Sequence, residues 1–408
     1  YIFHVLNVIF SEAVRAMIGK LIGVFLEAYR RFLRLMPVKK TVVFESNPEF
    51  SCNTYPVYRY LIDKKHLDDD FHIVWLVSDP DNAPKLKNTS YVKFWAENDS
   101  LIQRMKYNYV LNSSACLIYC NRLLGKNRKD QYSLCLQHGM PLKRSNGSYC
   151  INDNCDECLC VSEFFTDNYC DDFKISRDKL IYMGFPRNDY LFTDRNVLSQ
   201  MGLNGYDKVI IWMPTYRKHT APKVVGFNIE ETKTGIPTIN TDEEILKVDS
   251  WLRDNNCLLI LKPHPIQKIS VDIQNKLTNF KIISNDDLKK TGVQLYELLG
   301  KTDALVTDYS SVYYDYLLTN KPIGLTVDDI DTYINTRGFV YDDPKEVLKG
   351  VYIESTDELL SFFADVKFGI DDCLDERVQI KNKIHKYRNG SSAEMIGEHI
   401  YSRLEKLK

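Results

Sequence analysis

The sequence predicts an α/β protein built from two successive doubly wound domains and led by an amphipathic helix. Three observations predict it. The 408 residues are too many for one ordinary core and suit two domains of roughly 150–200 residues each. From residue 41 onward, short apolar runs alternate with segments of helical periodicity. That alternation pauses at Leu203-Asn-Gly-Tyr-Asp207, a turn-forming stretch, and then restarts.

Residues 1–35 read as helix. Phe3, Leu6, Ile9, Phe10, Ala13 and Met17 recur at steps of three and four, and Leu21, Val24 and Phe25 continue the stripe. Glu12, Arg15, Lys20 and Glu27 interrupt it, so no apolar run reaches the roughly 20 residues that span a bilayer. Arg30, Arg31, Arg34, Lys39 and Lys40 then cluster. A helix lying on an anionic membrane surface fits this pattern. So does a packing helix with a solvated end. Strands are expected at 41–45, 71–77, 92–94, 115–119, 132–136 and 158–161, with helices over 54–64 and 98–110. After the pause come strands at 209–212, 258–262, 280–283, 304–307 and 323–325. Helices are expected over 241–254, 294–299, 311–319, 355–365 and 373–407. Short apolar strands alternating with helices imply parallel sheets covered on both faces. The expected organisation is therefore a helix over 1–40, α/β domains over 41–195 and 205–350 facing across a cleft, and C-terminal helices over 351–408.

Composition narrows the function. Apolar residues at 44% and charged residues at 26% describe a folded chain. A net charge of −2 supplies no field to gather nucleic acid. The eleven cysteines are odd in number and lack a disulfide framework, so reduced thiols are expected. Cys150, Cys155, Cys158 and Cys160 lie close together, but Cys155-x-x-Cys158 lacks a second ligand pair for zinc. The chain opens at Tyr1 rather than Met, which leaves open what precedes it.

The chemistry-bearing motifs follow strands. Thr307-Asp-Tyr-Ser-Ser311 joins a strand to a helix, where free N–H groups and the helix dipole favour an anion and the hydroxyls of Ser310 and Ser311 add donors. Alternatively, Asp308 or Ser310 simply caps the helix. Leu261-Lys-Pro-His-Pro265 holds His264 between two prolines at a strand's carboxyl end, where open α/β sheets bind ligands. There His264 can donate to a phosphate or protonate a leaving group. Leu136-Gln-His-Gly-Met-Pro-Leu-Lys143 offers His138 as a general base, Gly139 for close approach, and Lys143 beside Arg144 for positive charge. Gly184-Phe-Pro-Arg-Asn-Asp189 carries Arg187 and Asp189, and Trp212-Met-Pro-Thr-Tyr-Arg217 carries Thr215 and Arg217. These arginines can fork onto phosphate or serve as interdomain ion pairs.

Together these motifs resemble the CDP-glycerol glycerophosphotransferases of teichoic acid and capsule synthesis. The likeness runs over Gln137-His-Gly-Met-Pro-Leu-Lys143, Gly184-Phe-Pro-Arg-Asn-Asp189, Pro214-Thr-Tyr-Arg217, Lys262-Pro-His-Pro265 and Thr307-Asp-Tyr-Ser-Ser-Val-Tyr-Tyr-Asp315 with Lys321-Pro322, in the family's order and spacing. It covers about residues 41–345. The segment after Lys143, Arg144-Ser-Asn-Gly147, departs from the family's apolar continuation. The resemblance implies a GT-B-like fold of two Rossmann-like domains, with nucleotide in the C-terminal one and acceptor toward the N-terminal one. It implies a CDP-glycerol or other CDP-polyol donor, a lipid-linked polymer acceptor, and a peripheral place on the inner, cytoplasmic face of the cell membrane. No cofactor and no nucleic acid partner are implied.

By the same resemblance His138 is the candidate base and His264 contacts the diphosphate. Ser310 and Ser311 bind phosphate, Asp308 positions their loop, and Lys262, Thr215 and Arg217 lie on the donor side. Lys143, Gly139, Arg187 and Asp189 line the acceptor side or cleft. Backbone dipoles and cationic side chains are expected to carry the phosphate charge, with no metal site assigned and Asp153 with Asp156 as a minor alternative. Rival readings are a CDP-ribitol or nucleotide-sugar donor on the same scaffold, and a non-catalytic CDP-binding scaffold of a capsule assembly complex.

Overall fold

The computed structural model describes residues 2–94, 99–122, 124–145, 150–151, 154–215, 234–263 and 275–406, with first-helix side chains described from Met17 onward. His264, Arg217 and Asp153 lie outside these residues. Two parallel sheets organise the chain. The first contains β1 (Lys39–Glu45), β2 (His72–Val77), β3 (Thr89–Lys93), β4 (Ser114–Tyr119), β5 (Tyr132–Cys135), β6 (Glu157–Cys160) and β7 (Leu180–Tyr182). Its order is β3-β2-β1-β4-β5-β6-β7. The second contains β8 (Lys208–Met213), β9 (Cys257–Leu261), β10 (Phe280–Ile282), β11 (Ala304–Thr307), β12 (Ile323–Thr326) and β13 (Val351–Ile353), in the order β10-β9-β8-β11-β12-β13. Each sheet runs outward from its first strand in one direction and then in the other, the doubly wound order of a Rossmann fold.

The strands form where the apolar runs predict them because parallel strands are buried on both faces. All residues of β4, β9 and β11 are buried. Helix starts follow local chemistry. Thr241 accepts from the N–H of Glu244 at 3.2 Å, and Glu244 accepts from the N–H of Thr241 at 3.0 Å, a reciprocal box that begins the helix Asp242–Asp254. Strands β7 and β13, three residues each, were not anticipated, nor were the helices Asn285–Thr291 and Ile330–Thr336. Such short elements carry too few residues to show a period. The helix expected over 373–407 is two, Leu374–Ile384 and Ser392–Glu405. Between them His385 is buried and its Nε2 meets the Tyr314 carbonyl at 2.7 Å. Gly390 stands at φ +70 in the same gap, a left-handed turn that interrupts the helix.

The chain divides into two compact units assembled from discontinuous segments. Unit 1 holds Tyr1–Leu136, Asn152–Cys158 and Gly397–Lys408; unit 2 holds Gln137–Ile151 and Leu159–Ile396. In unit 1, Phe44 stacks on Trp75 at 5.4 Å in the core. The helix Ile2–Leu35 buries Leu26 and Leu33, and Arg30 donates to Asn108 at 3.3 Å. Glu45 ends β1 with its carboxylate accepting the N–H groups of Cys120, Asn121 and Arg122 at 3.0–3.2 Å, which ties β1 to the loop after β4.

The C-terminal helix is anchored within unit 1 by Glu157. That carboxylate bonds His399 Nε2 at 2.5 Å and also pairs with Arg403 and the Tyr132 hydroxyl. Burial pushes the Glu157 carboxyl up, but His399, Tyr132 and Arg403 outweigh it and hold it below the ordinary 4.5. A depressed carboxyl stabilises the fold above its unfolded value and loses that contribution as pH falls through the folded one. Glu157→Gln is therefore expected to flatten the decline in denaturant midpoint between pH 5 and pH 3, measured by circular dichroism. An unchanged slope would refute the assignment.

Candidate functional site

Strands β8 and β11 are neighbours at the point where the second sheet reverses its winding, and their carboxyl ends are where such sheets bind ligands. Asp308 joins the two strand ends. It is fully buried, and both of its oxygens accept the Thr215 N–H, at 3.0 and 2.9 Å; Thr215 Oγ1 donates to Oδ2 at 2.7 Å. Thr307 Oγ1 donates to the Met213 carbonyl at 2.8 Å across the same gap. The next residue, Tyr309, is drawn inward against Tyr333 and Phe339, and its hydroxyl donates to Asp329 at 2.9 Å. With Asp308 and Tyr309 held inside, Ser310 and Ser311 are the half-exposed members of the turn. The helix Val312–Tyr316 begins there, its first bonds running from Tyr313 N to Ser310 O and from Tyr314 N to Ser311 O, both 3.1 Å. Asp308 thus couples two loops instead of capping the helix.

The segment after β5 belongs to the same unit. Gln137 is buried with φ +53, a left-handed conformation that costs a non-glycine residue on the order of 1–3 kcal/mol. His138 follows, exposed. Gly139 touches the serine turn: a Cβ there would stand 2.6 Å from Ser311 Oγ and 3.3 Å from Ser311 Cβ. A Cβ at 139 would force the Ser311 hydroxyl to turn away or the two loops to shift by a few tenths of an ångström. Gly139→Ala is expected to lower turnover about 10–100-fold by displacing Ser311, with the thermal midpoint nearly kept. Wild-type turnover would dismiss the contact.

Arg187 is nearly buried, and its Nη2 meets Asp315 Oδ2 at 2.6 Å. Its Nη1 donates to the His138 carbonyl. Its guanidinium lies 4.8 Å over the Tyr296 ring, and the Tyr296 hydroxyl donates to Asp315 at 2.6 Å. Arg187, expected at the cleft or in an ion pair, takes the ion pair with Asp315 and holds the His138 loop within unit 2. Asp189, also expected at the cleft or acceptor side, meets the start of the last helix. It accepts from Ser392 N at 3.0 Å and Ala393 N at 2.7 Å, capping the last helix, while burial pushes its carboxyl up. Lys143 forms an antiparallel bridge with Phe339, and Arg144 donates Nε to the Phe339 carbonyl at 2.7 Å. Arg144, the first residue to depart from the family pattern, is therefore strapped to 338–339. Lys262, at the end of β9, is 7% exposed, and burial pulls its amine down.

The structure thus brings together His138, Gly139, Ser310, Ser311, Arg187 and Asp315. Asp308 with Thr215 forms a second group at the adjoining strand ends. Asp315, Tyr296 and Tyr309 were not singled out from the sequence. Asp315 stands inside a quoted motif, and its spacing from Ser311 was the available signal. Of the minor metal alternative, Asp156 is occupied by Lys126 and the Ser133 N–H.

Two parallel sheets of this order, with a hydroxyl-bearing turn and a histidine loop at strand ends, define a GT-B-like α/β protein. The solved wall teichoic acid polymerase TagF shares the fold, with a TM-score of 0.69 over 93% of each chain at 21% identity. UDP-GlcNAc 2-epimerase from Neisseria meningitidis matches at 0.50, covering 90% of this chain and 100% of that one at 12% identity. The chain belongs to the CDP-glycerol:poly(glycerophosphate) glycerophosphotransferase family, whose model matches residues 27–402. It is 24% identical to the teichoic acid glycerol-phosphate transferase of Staphylococcus aureus over 95% of this chain and all of that protein. It is 26% identical to the teichoic acid poly(glycerol phosphate) polymerase of Bacillus subtilis over 80% of this chain and 44% of that longer protein.

Proposed function

We propose that this protein moves glycerol phosphate from CDP-glycerol to a hydroxyl of a lipid-linked, teichoic-acid-like polymer and releases CMP. The observation that carries this reading is the seating of the His138 loop, through Gly139, against the Ser310–Ser311 turn. An acceptor oxygen attacks the phosphorus that bears the glycerol. A new P–O bond forms, the P–O bond to CMP breaks, and CMP leaves with the bridging oxygen. His138, as base, takes the hydroxyl proton. Ser310 and Ser311 hold phosphate oxygens, and Lys262 and His264 supply positive charge on the donor side. Transfer of this kind depends on positioning and charge neutralisation, which fits a site built from braced loops.

The acceptor's lipid implies a membrane surface. No described helix is long and apolar enough to cross one. The helix Ile2–Leu35 exposes Leu21, Val24, Phe25 and Phe32, with Lys20, Arg31 and Arg34 also exposed along it, which supports binding in the plane of an anionic interface. Leu21→Glu/Val24→Glu is expected to abolish sedimentation with phosphatidylglycerol vesicles.

The direct test is CMP release from CDP-glycerol, CDP-ribitol and UDP-sugars, each with a lipid-linked acceptor. Poly(ribitol-phosphate) polymerase from Bacillus spizizenii is also a relative at 24% identity, so CDP-ribitol is the informative competitor. Preferential CMP release from CDP-glycerol supports the reading. Preference for another donor, or CDP binding without CMP release, overturns it.

A further inference from the structure

Unit 1 contains a cavity of about 780 Å³ at the end of its sheet away from the strands' carboxyl termini. One face of three adjacent strands makes the floor. Register places Thr41 beside His72 and Val74 beside Ser90, and Val92 continues that face along β3. The helix Leu101–Ser113 makes the roof, and Ile102, Met105, Tyr109, Val110 and Ser113 recur along one side of it. Protein interiors are close-packed, so a helix laid on a sheet normally closes such a gap. Here the gap has the size of a small-molecule site, and apolar side chains supply much of its lining.

The mouth is cationic. Lys39, Lys40 and Lys106 stand at it, all exposed, and no acidic side chain is among its described lining residues. Lys39 Nζ lies 5.1 Å over the Tyr109 ring, which holds that charge at the opening. Both His72 ring nitrogens are engaged, with Asn88 at 3.0 Å and Ser90 at 2.8 Å, so His72 belongs to the floor. Tyr29 of the first helix completes the wall. The same helix exposes Leu21, Val24 and Phe25 one to two turns earlier. A largely apolar cleft with an ammonium rim, opening beside such a helix, fits an apolar chain with an anionic head, and phosphate is the anion that a bilayer surface supplies.

We propose that this cavity binds an anionic amphiphile, a chain-bearing phosphate drawn from the bilayer surface, at a site separate from the strand-end loops of unit 2. The proposal deepens the membrane part of the functional reading. It adds to a peripheral helix a pocket that selects the lipid beneath it.

The test uses the full chain and dodecyl phosphate below its micelle concentration, followed by isothermal titration. Saturable one-to-one binding is expected, at least tenfold tighter than that of dodecanol or inorganic phosphate. Lys39→Gln/Lys106→Gln is expected to weaken it at least tenfold, and Ser90→Trp to fill the cavity and abolish it. Should Ser90→Trp fail to fold by circular dichroism, the lysine pair, at exposed positions, decides alone. Dihexanoyl phosphatidylglycerol and farnesyl phosphate, titrated in parallel, separate a membrane lipid from a polyprenyl carrier, and tighter binding of either identifies the source. Leu21→Glu/Val24→Glu is expected to leave dodecyl phosphate affinity intact while vesicle sedimentation is lost. Retained sedimentation would sink the helix reading and spare the pocket. CMP release to a soluble acceptor is expected to be unchanged in the lysine variant. Dodecyl phosphate binding no tighter than inorganic phosphate, or wild-type affinity in the lysine variant, overturns the proposal.

Discussion

His138→Ala is expected to lower the rate of CMP release by roughly 10²–10⁴-fold, the usual contribution of a positioned general base. CDP-glycerol affinity, measured by titration calorimetry, should stay within a few-fold of wild type. The separation follows from where the groups sit. The His138 ring is exposed, and the carbonyl of the same residue is held by Arg187. Removing the ring takes away a proton acceptor and leaves the Arg187 bond to the backbone in place. Ser310 and Ser311, held by Asp308, Tyr309 and the helix that follows, are untouched. A variant with wild-type turnover would strip His138 of the role. A variant that loses donor binding in parallel with turnover would move the histidine to the donor phosphates.

Arg187→Leu should act through the fold. The pair with Asp315 is almost entirely buried, at 7% and 0% side-chain exposure. Removing one partner leaves a charge without its counterion in a medium that solvates it poorly, at a cost of about 3–5 kcal/mol. Urea denaturation followed by tryptophan fluorescence would show it as a lower midpoint. Arg187→Leu/Asp315→Leu removes both charges and is expected to recover most of the stability. It is not expected to recover turnover, because the His138 carbonyl still lacks its donor. Recovery of both would reduce Arg187 to a stability residue, and an unchanged midpoint in the single variant would contradict the buried pair.

Much of the fold was legible because parallel sheets write themselves into a sequence as apolar runs. The strands at Ser114–Tyr119, Cys257–Leu261 and Ala304–Thr307 are buried throughout and could be read from composition alone. Elements of three residues, such as β7 and β13, could not, since no period fits in them. The strand-end motifs were legible as candidates for the same reason: a polar turn after an apolar strand stands out. Their division of labour was not. Arg187 and Asp189 look in sequence like residues that greet a ligand. In the folded chain, one is spent on Asp315 and the His138 carbonyl, the other on the first N–H groups of the helix Ser392–Glu405.

From its residues alone, this chain determined a two-sheet α/β architecture, a family, and a short set of strand-end loops where chemistry belongs. These are local properties, set by hydrophobic periodicity, turn residues and motif spacing. Only the tertiary structure decided that Gly139 lies against Ser311, that Asp308 ties the loop after β8 to the end of β11, and that a charged pair 128 positions apart braces the histidine loop. Contacts of that range depend on which side chains burial brings together. A linear pattern names the donors and acceptors, and packing chooses their partners.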